Sequence, residues 1–457
     1  MSSISGLNVL LTALRANQQA LFMTSHNVAN ASTEGFSRQT ASMEALPPVG
    51  GFLPEQQIGQ GVVLGQITRV RNAFFDQQFR AENQSLGYYS TRKDALDQLQ
   101  AITGEPSSTG IRETLQRFWS AWSDLANQPD GQANRAAVRE AANALADAIR
   151  HQATQLSDLR TSLDQTISTR AQQINSVADQ LASVNQEVVA AMGTGGNPND
   201  LMDKRDLLLD QLSRLVRVQV LPQNDGSLGV VVGGGLLVDG ATAHHLSPTP
   251  GTGGWTNLNW DYNGAQVNVS GGELAGLISA RDTLVPDYQN QLESMTAALV
   301  QAVNTQHAAG TGLNGSTAQD FFDPASTAST IQISSAVATD LNNIAAGQST
   351  APGDGTNAQA IFDMQSQAVL SGATIQDFYR GMVSTIGVQA QVADRGQNTE
   401  TVLTQQLNNM RQSTSGVSLD EEMTNMIKYQ KGYEAAARMV SVMDGMLDTL
   451  INRTGIS

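Results

Sequence analysis

Residues 4–28 read ISGLNVLLTALRANQQALFMTSHNV, and residues 419–451 read LDEEMTNMIKYQKGYEAAARMVSVMDGMLDTLI. In the first stretch Ile4, Leu7, Leu11, Leu14, Leu21 and Val28 fall on one seam of alternating three- and four-residue steps, with Gln18 and Ser25 as polar interruptions. In the second, Leu419, Met423, Met426, Tyr433, Ala437, Val440, Leu447 and Ile451 mark another, broken by Gln430 and Asp444. This spacing puts apolar groups on a narrow helical stripe, and such a stripe needs a partner helix. Neither segment has a large core of its own to dock on. The expected partner of each is the other, or copies of both in neighbouring subunits. The expectation is a chain that polymerises through its ends.

Helix also dominates inward of these ends. Leu86, Tyr89, Leu96 and Leu99 mark one segment, and Ile111, Leu115, Phe118, Trp119, Trp122 and Leu125 a second. The third carries a stripe from Leu145 through Ile149, Leu156, Leu163, Ile167, Ile174, Leu181 and Val188. Running from about Asn134 to Met192, at 1.5 Å per residue it would span about 90 Å, which implies an elongated rod or a strongly kinked hairpin. Residues 193–199 end it, and Leu201 to Leu215 carry the next helix. Residues 216–272 change character. Short apolar runs at Arg217–Val220, Leu228–Val232, Leu236–Val238, Trp255–Tyr262 and Gln266–Val269 alternate with Asp-Gly, Asn-Gly and triple-Gly turn signals. Helix resumes over Gly272–His307 and Ile375–Met410. Between them lies a Gly-, Ser- and Thr-rich stretch with one expected strand at Thr330–Ile333. Residues 40–72, punctuated by Pro47, Pro48, Gly50, Gly51 and Pro54, read as irregular or extended, with a strand at Val62–Leu64.

The fold class is therefore mainly α, an elongated coiled-coil-like helical rod with paired N- and C-terminal helices and a small β-rich insert. The expected domains are a terminal helical polymerisation unit (1–40 plus 417–457), a long-helix rod (41–215 plus 273–416) and an outer β insert (216–272). A chain that goes out and comes back places its ends innermost and the insert outermost.

Composition narrows the function. With 42 acidic and 26 basic side chains the formal net charge is −16, and phosphate binding needs clustered Lys and Arg. Nucleic acid and membrane surfaces are not expected partners. There is no cysteine, which excludes disulfides, thiolate metal sites and cysteine nucleophiles. Nothing approaches the ~20 continuous apolar residues of a membrane span, and the N-terminus does not read as a cleavable signal peptide.

No catalytic, cofactor or metal motif stands out. Gly233-Gly234-Gly235 lacks a following Gly-Lys-Ser/Thr and reads as a hairpin turn. The histidines (His26, His151, His244, His245 and His307) show no HExxH spacing, and no serine stands in a G-x-S-x-G context. Trp119 and Trp122 read as core between helices. Ser418 and Glu421 fit a capping box, and Asp420, Glu421 and Glu422 sit where the helix dipole favours negative charge.

The run His26 to Gln39, HNVANASTEGFSRQ, with Asn27, Asn30, Gly35, Phe36, Arg38 and Gln39, resembles the N-terminal signature of bacterial flagellar axial proteins, and its Gly-Phe-Ser-Arg-Gln ending is similar to that of the hook-associated kind. Ser415 to Glu422, with Asp420, Glu421 and Glu422, then Tyr429-Gln430 and Tyr433 to Arg438, resembles the matching C-terminal signature. Asp200-Leu201-Met202-Asp203-Lys204-Arg205-Asp206 and Gln319-Asp320-Phe321-Phe322 look like internal landmarks of the same family. Ser32, Glu34 and Phe36 stand where Asn, Pro and Tyr are common.

The resemblance implies a structural protein of the hook–filament junction, not an enzyme, with no cofactor. It would be required for filament assembly and exported to the cell exterior through the flagellar type III apparatus without a cleaved signal. The implied partners are copies of itself in a ring, the hook protein, the third hook-associated protein of the junction ring, and an export chaperone on the C-terminal segment. A hook or rod subunit is the neighbouring reading within the family. A secreted enzyme or a coiled-coil adhesin on a helical scaffold is the reading from another class.

Overall fold

A computed structural model describes residues 2–47, 59–105 and 107–449. The helices are α1 (Ser2–Ala29), α2 (Ala73–Thr103), α3 (Ile111–Asn127), α4 (Gln132–Gly193), α5 (Asn199–Leu215), α6 (Gly272–Ser279), α7 (Val285–Ala308), α8 (Ser335–Thr339), α9 (Thr356–Asp363), α10 (Ile375–Ser415) and α11 (Leu419–Asp448). The rod is built on α4, which runs 62 residues, about 90 Å. Its buried residues recur every three or four positions from Val138 to Val188, so one stripe serves the whole length. α3, α5, α6 and α7 pack on that stripe, and α2 lies along α10. Asn72 caps α2 by accepting from Phe74 N at 3.0 Å, and Thr374 caps α10 by accepting from Asp377 N at 3.0 Å. A π turn at Ala280–Leu284 joins α6 to α7 without a break.

Trp119 and Trp122 are core, as their spacing predicts. With Phe118, Phe321, Phe322 and His307 they form one aromatic cluster, whose Trp122 and Phe321 ring centroids are 5.2 Å apart. Asn304 holds the Phe321-Phe322 backbone in place. Its Oδ1 accepts from both amides at 3.0 and 2.8 Å, and its Nδ2 donates to Phe322 O at 2.9 Å.

The extended residues after α1 form strands β1 (Gln39–Thr40), β2 (Met43–Ala45), β3 (Val62–Leu64) and β4 (Thr68–Arg69). β1 pairs with β4 and β2 with β3, both antiparallel. This folds the segment back along α1, where Val62 N donates to Thr12 Oγ1 at 3.3 Å. Of the residues expected to be irregular here, Pro48, Gly50, Gly51 and Pro54 lie outside the described residues.

The β insert contains β5 (Gln219–Pro222), β6 (Leu228–Val232), β7 (Gly235–Asp239), β8 (Thr242–Ala243), β9 (Leu246–Pro250) and β10 (Thr256–Trp260). β5 to β8 form an antiparallel meander, and β9 pairs with β10. Gly233 and Gly234, with φ of 56° and 86°, make the tight β6–β7 turn. Asn175 and Asn185 on α4 fasten the insert. Asn185 Nδ2 donates to Leu228 O and Gly240 O at 2.8 Å, and Asn175 pairs with Leu246 N and O at 2.8 and 3.0 Å.

Two expected strands do not form. Gln266–Val269 contributes only a bridge from Gln266 to Asn259, and Thr330–Ile333 only a bridge from Ile333 to Phe322. Each lies beside a hairpin end or loop that supplies one pairing position and no ladder. β9 went unread because Ser-Pro-Thr-Pro lacks strand composition. It is an edge strand, where proline is tolerated.

The main core runs from Ala95 to Ala393, and among the described residues it includes none from α1 or α11. The two terminal helices are packed on each other.

Candidate assembly interface

α1 and α11 run antiparallel in constant register. A Cβ on Gly6 would lie 3.2 Å from Met443 Cε, and one on Gly432 would lie 2.6 Å from Asn17 Oδ1. Asn27 Nδ2 donates to Glu422 Oε2 at 3.3 Å. Each step forward along α1 from Gly6 to Asn17 to Asn27 matches an equal step back along α11. Gly6, Ala20 and Gly432 leave room for the axes to close.

This line of closest approach lies one residue away from the predicted stripes. Leu7 and Val28 follow Gly6 and Asn27, while Met423 and Tyr433 follow Glu422 and Gly432. One residue is about 100° around a helix, so the apolar stripes flank the contact instead of filling it. Leu7, Leu14, Leu21 and Val28 are half-buried and Leu11 is exposed. On α11, Met426, Val440 and Leu447 are half-buried, whereas Leu419, Met423 and Tyr433 are exposed. Ile4 lies within α1, and Ile451 lies outside the described residues. Phe22 is 66% exposed, and Met423 and Ile427 are each 58% exposed. With Met439, Val442 and Met446 also exposed, α11 is apolar on several sides, a composition suited to a helix enclosed by neighbours.

Polar contacts tie this pair to the rod. The Asn27 side chain pairs with the Gln39 backbone like a strand neighbour: Nδ2 donates to Gln39 O at 2.8 Å and Oδ1 accepts from Gln39 N at 3.0 Å. Arg38 spans the two ends of the chain. Its Nε donates to Glu422 Oε1 and its Nη1 to Glu421 Oε2, both at 2.7 Å, and its backbone N donates to Ser415 O at 2.8 Å. Glu422 is 1% exposed, and this guanidinium and Asn27 supply the hydrogen bonds that its buried carboxylate needs. Gln39 Nε2 donates to Asp200 Oδ1 at 2.7 Å. Asn30 closes the end of α1 by donating from Nδ2 to His26 O at 3.1 Å, and Phe36 stands edge-on to His26 at 5.4 Å. Gly35 has φ of 81°, and a Cβ there would approach Leu207 to 3.2 Å, which explains glycine at that turn.

The capping box at α11 is half formed. Ser418 Oγ accepts from Glu421 N at 3.5 Å, but the Glu421 carboxylate turns to Arg38 instead of reaching back. A guanidinium offers it a charge-assisted bond, roughly twice as strong as a neutral one. Asp420 is exposed in the first turn of α11, where the helix dipole favours its charge.

Behind this clasp lies an ion-pair ladder that the sequence reading missed. Asp203, Asp206 and Asp210 share one face of α5. Asp203 accepts from Ser37 N and Ser37 Oγ at 2.8 Å, and from Arg69 Nη1 at 2.7 Å. Asp206 takes Arg69 at 2.9 Å and Arg80 at 3.0 Å. Asp210 takes Arg80 at 2.7 Å and Arg411 at 2.6 Å, and Arg71 and Arg411 share Asp76. Burial works against the Asp206 charge, but Arg71, Arg80 and Arg69 outweigh it and hold the carboxyl below its usual range. Burial likewise opposes the Arg71 charge, while Asp206 and Asp76 raise its pKa above the ordinary arginine value. The legible signal was an acidic i, i+3, i+7 row opposite Leu208 and Leu212, with Arg69 and Arg71 alternating on an extended segment.

Among the described residues there is no metal-competent group of His, Asp and Glu, and no helix is long and apolar enough to cross a membrane.

Three stretches of the chain match described protein families. The family description "Flagellar hook-associated protein FlgK helical domain" matches residues 96–322. "Flagella basal body rod protein" matches 7–36, and "Flagellar basal body rod FlgEFG protein C-terminal" matches 411–453. The flagellar hook-associated protein 1 of Bacillus subtilis is 31% identical, over 100% of this chain and 99% of the relative. That of Salmonella typhimurium is 26% identical, over 99% and 100%. The solved flagellar hook junction protein FlgK of Burkholderia pseudomallei superposes with a TM-score of 0.67 at 17% identity, covering 74% of this chain and all of that one, which shows a shared fold. A long-helix rod bearing a β insert and closed by an antiparallel terminal pair, in a chain matching such relatives end to end, belongs to the flagellar hook-associated protein 1 family, whose members are structural components of the bacterial flagellum.

Proposed function

We propose that this chain joins the hook to the filament by packing α1 and α11 side by side with those of other copies in a ring, and that it has no enzymatic role. The observation that carries this reading is the terminal pair. Phe22, Met423, Ile427, Met439, Val442 and Met446 stand open to solvent on it, and neither of its helices contributes to the main core of the rod. A two-helix unit of this length is marginal alone, because ordering each arm offsets what it buries. Neighbours on several sides change that balance. In this reading the innermost layer is 1–40 plus 417–457, the rod is 41–215 plus 273–416, and 216–272 stands outermost.

The partners are copies of this chain, the hook protein on one side and the third hook-associated protein on the other. An export chaperone covers α11 before secretion, and the chain reaches the cell exterior without a cleaved signal. The terminal matches are shared with rod proteins and do not separate the two readings. The helical domain at 96–322 favours the hook-associated one.

Electron microscopy of cells lacking this chain tests the proposal. Hooks without filaments, with filament subunits released to the medium, are expected. Filaments of normal number and length would overturn it.

A further inference from the structure

Five of the chain's 14 methionines fall on α11. Met423, Met439 and Met446 are 58%, 53% and 57% exposed, whereas Met295 and Met382 inside the rod are 1% and 3% exposed. There is no cysteine to compete for oxidant. The exposed three stand among Leu419, Ile427 and Val442, also exposed, and none of these offers a side-chain hydrogen-bond donor.

We propose that Met423, Met439 and Met446 are sulfoxidation sites for hydroperoxide oxidants. They are open in the free chain and closed by docking, and their oxidation prevents docking. This rests on the docking role of α11 set out above. In the reaction a thioether lone pair attacks one peroxide oxygen, the O–O bond breaks and an S–O bond forms. Two electrons pass from sulfur to the peroxide. The departing hydroxide takes the proton of the transferred oxygen and leaves as water. A flexible apolar side chain thereby becomes polar. Its new acceptor has no donor among the apolar neighbours, and burying it there is unfavourable.

The test uses the full-length chain, limiting hydrogen peroxide, and hooks isolated from cells lacking the chain. Peptide mass spectrometry is expected to find the three sulfoxides forming roughly tenfold faster than those at Met295 and Met382, following exposure. Co-sedimentation of the oxidised chain with hooks is expected to fall about tenfold or more, and methionine sulfoxide reductase should restore it. A chain carrying Met423→Leu, Met439→Leu and Met446→Leu should sediment equally with and without peroxide. Undiminished sedimentation of the oxidised wild-type chain overturns the proposal, as does equal peroxide sensitivity of the triple variant. If the untreated chain never sediments with hooks, the docking role itself fails, and the effect claimed for oxidation fails with it.

Discussion

Asn27 Nδ2 donates to Glu422 Oε2 at 3.3 Å, so a residue near the start of the chain and one near its end share a buried contact. Arg38 reinforces that contact, and together they fix the register of the terminal pair against the rod. Glu422→Gln keeps the shape but removes the charge-assisted bonds, at a cost of about 1–3 kcal/mol. Amide exchange should quicken across α1 and α11 and stay unchanged in α4. Unaltered protection in the terminal helices would show that the pair is held elsewhere.

A Cβ at Gly432 would lie 2.6 Å from Asn17 Oδ1, so a side chain there must displace the Asn17 amide. Gly432→Val should separate α1 from α11, at a cost of about 1–3 kcal/mol from overpacking. Adding Asn17→Gly should recover much of that loss. A double-mutant cycle reads the coupling, and strictly additive effects would count against this register.

Asp206 pairs with Arg69, Arg71 and Arg80 at once. Asp206→Asn should destabilise the chain by about 3–5 kcal/mol, because it leaves buried guanidinium groups underpaired. Its carboxyl is held below the usual range, so its contribution is present above the ordinary carboxylate pKa and is lost as pH falls through the depressed value. Urea midpoints of the variant and wild type between pH 7 and pH 3 should converge toward the acid end.

Burial lowers the His307 pKa from 6.5 to about 4. Its Nδ1 lies 2.7 Å from Gln319 O and its Nε2 accepts from Ala345 N at 2.9 Å, an arrangement that requires the neutral ring. A depressed folded pKa means the contribution is present above pH 6.5 and lost as pH falls toward about 4, on the order of 3 kcal/mol in all. Denaturation of wild type and His307→Gln at pH 7.5 and pH 4.5 should show a flatter pH dependence in the variant.

Leu14→Asp or Met426→Asp places a carboxylate on a half-buried apolar position of the terminal pair. Either should block incorporation into junctions while the far-ultraviolet signal and the melting of the central helices persist. Normal junctions carrying either change would remove these stripes from the assembly surface.

Periodicity made the long elements readable. The unbroken stripe on α4 and the turn glycines at Gly233 and Gly234 each specify local structure without tertiary help. The facing of α1 and α11 was not legible in the same way. Spacing names the greasiest line on a helix, but the closest approach follows the smallest and best hydrogen-bonded residues, here Gly6, Gly432, Asn17 and Asn27. The signature residues were visible as a pattern, yet their partners Asp200 and Asp203 lie far along the sequence. Arg69, Arg71, Arg80 and Arg411 went unread for the same reason. An ion pair has no period, and its two members need share no neighbourhood in the chain.

Arg38 N meets Ser415 O at 2.8 Å, so the strand leaving α1 and the helix entering α11 pass through one point. Everything between is a loop hung from that point, and length can be added at its far end without disturbing the base. A joint built of separate hydrogen bonds and ion pairs can also exchange them with water one at a time. Losing any one of them leaves the others in place, so the base is held by several independent contacts at once.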